Sequence, residues 1–171
     1  MTIIEKQLIK SLVLNEITKE TFLAHYPIDL SVEDRYILHV LQSSYQNRDE
    51  DALEYGLMLL PLDNFTESTK YVEILNKLIQ ADWHKMHEDI ASLLNGINSP
   101  ESVDALFNAA VVQYDYLSYD DTYQLARKCI KALAAIANME AIERIKELSL
   151  YEIPEIAAYA RKELLRKGFD Y

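Results

Sequence analysis

The residues with the greatest chemical potential lie in ADWHKMHEDI, residues 81–90, which holds a Trp, two His and three carboxylates. His84 and His87 are three apart, so on a helix both imidazoles share a face and could meet one metal ion. Metallohydrolase motifs set two His around a Glu, as His-Glu-x-x-His or His-x-x-Glu-His, so that the carboxylate activates a metal-bound water. HKMHE follows neither spacing, and no third ligand is identifiable. The competing reading is a structural corner. A preceding helix ends near Gln80, Trp83 covers the junction between the two halves of the chain, and Glu88 and Asp89 sit at a helix N-terminus, where carboxylates favour the dipole.

A second stretch, QYDYLSYDDTY at 113–123, interleaves four tyrosines with three aspartates. Tyrosine is enriched in binding hot spots, and aspartate supplies charge complementarity. Tyr114, Asp115, Tyr116, Tyr119, Asp120 and Asp121 are therefore the candidate partner-binding residues, joined by Glu88 and Asp89. The alternative is that Tyr114, Leu117 and Tyr123 cover the ends of neighbouring helices. The single cysteine, Cys129, falls on the apolar stripe of a helix and reads as an inert buried thiol. His25 and His39 have no visible Ser and carboxylate partners. Glycines at 56, 96 and 168 are isolated, so no glycine-rich phosphate loop is possible. No catalytic residue, metal or cofactor is expected.

The elements that must position these residues are helical. The 171 residues include only three Gly and four Pro, fewer turn residues than a sandwich or an α/β fold needs, while half of the residues are hydrophobic. Apolar residues recur at helical spacing almost throughout. TIIEKQLIKSLVL places Ile4, Leu8 and Leu12 on one stripe, and TKETFLAHY reads as a short second helix. Ser31 and Asp34 resemble the cap and first turn of a third, whose apolar side includes Val32, Tyr36, Leu38, Val40 and Leu41. DEDALEYGLMLLP is stopped near Pro61, and TESTKYVEILNKLIQ turns Tyr71, Ile74, Leu75, Leu78 and Ile79 inward. HEDIASLLNGI, SPESVDALFNAAVVQ (Ser99 as cap, Pro100 at the first position), DTYQLARKCIKALAAI, NMEAIERIKELSL and PEIAAYARKELLRKG complete the series, with Gly168 as a C-cap.

The net charge is −11, and it is unevenly spread: no Lys or Arg occurs between Lys85 and Arg127, or between Arg48 and Lys70. Phosphate backbones repel such surfaces, which argues against a nucleic-acid partner, whereas a basic protein is attracted. The basic residues Arg161, Lys162, Arg166 and Lys167 suit a helix C-terminus. The N-terminal segment carries Glu5, Lys6 and Lys10 within its apolar run, unlike a signal peptide, and no apolar run is long enough to span a bilayer. The expectation is a soluble, cytoplasmic protein without a membrane partner, its oligomeric state open. One cysteine fits a reducing compartment.

An internal repeat appears in the second half. ARKCI at 126–130 recurs as ARKEL at 160–164. SPESVDALFNAA at 99–110 aligns with NMEAIERIKELS at 138–149, pairing Glu101 with Glu140, Val103 with Ile142, Leu106 with Ile145 and Ala109 with Leu148. One helix of each pair carries small residues, the other spaced aliphatics. Over roughly 86–167 this frame resembles the HEAT-like repeats of bacterial proteins, of the PBS lyase HEAT-like kind, with 1–82 as divergent helices or a cap. The usual Gly at the end of the first helix is absent from KALAAIAN. The resemblance implies an all-α superhelix, a solenoid of antiparallel helix pairs in one continuous domain, with a groove that binds other proteins. It also suggests a non-enzymatic, immunity- or antitoxin-type module that occludes a basic partner. The alternative within the same resemblance is a metalloenzyme or a lyase-associated protein using His84, His87 and Glu88. The deoxyhypusine hydroxylases of this class carry several His-Glu pairs around two irons; here His87-Glu88 is the one pair, and its counterparts are Asp120-Asp121 and Pro154-Glu155.

Overall fold

A computed structural model of the chain describes residues 1–30, 32–33, 35–62 and 69–170. Ten α-helices and no strand occur among them. They divide into two compact units, Met1–Glu67 and Ser68–Tyr171. Among the described residues no helix is long and apolar enough to cross a membrane.

The first unit holds α1 (Ile3–Val13), α2 (Lys19–His25), α3 (Tyr36–Asn47) and α4 (Glu50–Leu59), the last followed by a 3-10 turn at Leu60–Leu62. α1 opens on a capping box: the Thr2 hydroxyl accepts from the Glu5 amide, and the Glu5 carboxylate accepts from the Thr2 amide. The box turns the inward face of α1 away from the expected stripe. Glu5 and Ile9 are buried, while Ile4 is exposed. The buried carboxylate also accepts from the Tyr36 hydroxyl at 3.0 Å. Burial raises its pKa, but the bonds from Thr2 and Tyr36 outweigh that and leave it lowered. Ser31 and Asp34 lie outside the described residues. The helix they were expected to begin starts at Tyr36 and buries Ile37, Leu41 and Ser44; Val32 precedes it and is exposed. The α4 N-cap is Asp49, whose carboxylate accepts from the Ala52 amide at 3.0 Å. α3 meets α4 at Gly56, where a Cβ would lie 3.0 Å from methyl groups of Leu41 and Val40.

The second unit holds α5 (Val72–Leu78), α6 (His87–Ile97), α7 (Val103–Val111), α8 (Gln124–Ile136), α9 (Met139–Leu148) and α10 (Pro154–Lys167). α8 is its centre: α6, α7, α9 and α10 all pack on it, and α9 also packs on α10. Seven α8 residues are buried, among them Ala126, Ala132 and Ala134, whose small side chains admit close neighbours, and Ile130 and Leu133, which fill the core. Each fully buried Leu or Ile contributes roughly 1.5–3 kcal/mol. Cys129 is buried in this helix, and burial pushes its thiol pKa far up, so the thiolate is not formed. The aligned pairs Val103/Ile142, Leu106/Ile145 and Ala109/Leu148 are all buried, and Glu101 and Glu140 are exposed. α8 ends without glycine: Ala137 itself takes the left-handed conformation, φ 52°. α10 ends on Gly168 at φ 80°.

Candidate functional site

The ADWHKMHEDI stretch forms the corner between α5 and α6, and its chemistry follows from the end of α5. A helix leaves its last carbonyls without amide partners. Three side chains bond to carbonyls at or just beyond this end, and the Leu78 carbonyl also accepts from the Ala81 amide at 3.0 Å. His84 Nε2 lies 2.8 Å from the Leu78 carbonyl, Tyr114 Oη donates to the Ile79 carbonyl at 2.9 Å, and His87 Nε2 lies 2.7 Å from the Ala81 carbonyl. A carbonyl only accepts, so both imidazoles carry their proton on Nε2. Nδ1 is then an acceptor in each ring. His84 Nδ1 accepts from the Met86 amide at 3.1 Å, and His87 Nδ1 accepts from the Tyr116 hydroxyl at 2.8 Å.

The rings also stack. His84 and His87 lie 4.4 Å apart between centroids, and His87 and Tyr114 lie 3.8 Å apart. Trp83 is half-buried and meets His84 edge-on at 4.9 Å. Both imidazoles are buried. Burial pushes the His87 pKa down to about 4, His84 adding to the effect and the Ala81 bond opposing it. His87 is neutral at pH 7. The Glu88 carboxylate pairs with Lys128 of α8 at 3.0 Å. Among the described residues no three His, Cys, Asp or Glu side chains converge in a way that could hold a metal ion.

The corner reaches across to the second stretch. Tyr114 and Tyr116, which follow α7, are half-buried because they lie on and bond to the α5–α6 corner. Burial raises the pKa of both phenols, Tyr114 to about 12. Asp115–Leu117 makes a 3-10 turn. Asp120 folds back: its carboxylate accepts from the Thr122 amide at 3.0 Å and the Gln124 amide at 2.7 Å, so it caps α8. Partial burial raises its pKa, yet the hydrogen bonds from Thr122, Gln124 and Tyr123 outweigh that and leave it lowered. Tyr123 stands in the left-handed region, φ 50°, an uncommon place for a bulky side chain. Tyr159 of α10 donates to the Thr122 carbonyl at 2.8 Å and pins the far end.

Of the eight candidate partner residues, the structure thus turns Tyr114, Tyr116 and Asp120 to the protein itself. Asp115, Tyr119 and Asp121 face outward, with Tyr119 93% exposed. Asp89 is exposed on α6, and Glu88 is tied to Lys128. Tyr159 and Thr122 were missed by sequence reasoning, and nothing local marks the 37-residue contact between them. No protein-family model, curated protein or solved structure matches the chain.

Proposed function

We propose that the chain is a non-enzymatic protein-binding module and that the loop 113–123 is its contact surface for a basic partner. The observation that carries this reading is a loop held at both ends that still presents Tyr119, Asp115 and Asp121 to solvent. A loop fixed before binding loses little entropy on binding, and an exposed aromatic flanked by acids is the composition of a hot spot with electrostatic steering. The absence of Lys and Arg from Lys85 to Arg127 keeps the field around it negative.

The scaffold is read as a HEAT-like solenoid. Support comes from packing between consecutive and next-but-one helices, α6 with α8, α8 with α9 and α10, and α9 with α10, together with the buried frame common to α7 and α9. An immunity- or antitoxin-type role, occluding the active surface of a basic protein, is the use that charge and repeat resemblance suggest. The test compares capture of a basic protein from native lysate by the natural chain and by the Asp115→Asn/Tyr119→Ala/Asp121→Asn variant. The expected result is a stoichiometric basic protein, released by salt and lost with the variant. Equal capture by both would remove the loop from the interface and refute the proposal.

A further inference from the structure

A pocket of about 220 Å³ opens beneath the tyrosine-rich loop, between the end of α7, the start of α8 and the start of α10. Its floor includes Ala110, Leu125, Ala126 and Ile156, all buried aliphatics, and Tyr123 stands in its wall. Asp115, Asp120 and Asp121 supply its charge, and no Lys, Arg or His lines it. The Asp120 carboxylate is held in place by the start of α8, while the other two lie at the exposed rim. Pockets for drug-sized ligands span roughly 300–1,000 Å³, so this one suits a single side chain rather than a cofactor. An aliphatic floor under an acidic rim is complementary to an amphipathic cation. The methylene stem of Lys or Arg lies along apolar surface while the head remains among charges and water, and an aromatic wall adds attraction for a cation.

We infer that this pocket receives one lysine or arginine side chain of the partner. The inference rests on the partner reading above and narrows it: the basic partner must project a cationic side chain beside the surface that meets Tyr119. The acids steer, and the pocket selects.

The experiment uses the full chain, labelled with nitrogen-15, and N-acetyl-arginine methylamide as the probe. The neutral isostere N-acetyl-citrulline methylamide is the control. Saturable amide shifts are expected at residues 110–126 and at Ile156, with a dissociation constant on the order of 1 mM. They are expected to vanish with the citrulline probe and to weaken at least several-fold in Asp115→Asn/Asp121→Asn. The two changed residues are exposed, and an unchanged unfolding midpoint verifies the variant's fold. Equal shifts with both probes, no saturation, or shifts spread over the whole acidic surface would overturn the inference. Salt-sensitive capture of a basic protein with unmoved pocket amides would refute this inference alone. Arginine binding in the pocket without any salt-sensitive capture would refute the partner reading alone.

Discussion

Protonation of His87 is the perturbation that interrogates the α5–α6 corner most sharply. The ring is fully buried, donates from Nε2 to the Ala81 carbonyl and accepts at Nδ1 from Tyr116. Its pKa is pushed from the ordinary 6.5 down to about 4. The depressed value means that the folded state favours the neutral ring. The resulting stability is fully present above pH 6.5 and is lost as the pH falls from there towards 4. Linkage with these two values gives a loss of about 2 kcal/mol between pH 7 and pH 5, and about 3 kcal/mol once both states are protonated. Local opening and entry of water reduce this, so about 1–2 kcal/mol is expected at pH 5. Carboxylates titrate in the same range, and the comparison must therefore be differential. His87→Gln keeps a donor for the Ala81 carbonyl and removes the titration. Urea unfolding followed by circular dichroism at pH 7 and pH 5 should show the natural chain losing about 1–2 kcal/mol more than the variant. Equal losses in the two proteins would refute the reasoning that His87 is held neutral by this corner.

Three further outcomes follow from the geometry. Ala137→Gly should stabilise the chain by about 0.5–1 kcal/mol, because an exposed alanine at φ 52° ends α8 where glycine carries no Cβ penalty; a lowered thermal midpoint would contradict this. Asp120→Ala should cost about 1–2 kcal/mol in urea unfolding by uncapping α8, whereas Asp115→Asn and Asp121→Asn should each stay within about 0.5 kcal/mol; equal effects at the three positions would contradict their assignment. Tyr114→Phe should cost about 1 kcal/mol by leaving the Ile79 carbonyl without its donor while keeping the ring stack, and an unshifted midpoint would show that water replaces the phenol there.

Much of the fold was legible because it is local and periodic. HEDIASLLNGI coincides with α6, and Ser99 caps the turn at Pro100. The aliphatic positions that the alignment pairs in α7 and α9 are all buried, because amphipathic spacing decides which face a helix buries. Reasoning from spacing failed at α1, where the outward Ile4 and inward Glu5 result from a capping box and from a bond to Tyr36, 31 residues away. The corner residues were recognisable as a helix junction, but not as partners for the carbonyls of Leu78, Ile79 and Ala81, since one of the donors, Tyr114, arrives from 35 residues downstream. In the tyrosine-rich loop, alternation of Tyr and Asp does not distinguish acids that cap from acids that face solvent. The signal that distinguishes Asp120 is the Thr two residues on, just before a helix, a spacing that favours an Asx turn.

The central claim is that the loop 113–123 steers and holds a basic partner. The direct measurement is the association rate of the captured partner with the natural chain and with Asp115→Asn/Tyr119→Ala/Asp121→Asn, taken across ionic strength. The account predicts that association with the natural chain slows steeply as salt rises. The variant should associate more slowly at low salt and dissociate faster at every salt, Tyr119 having lost its contact. Identical rates and identical salt slopes for the two proteins would contradict it.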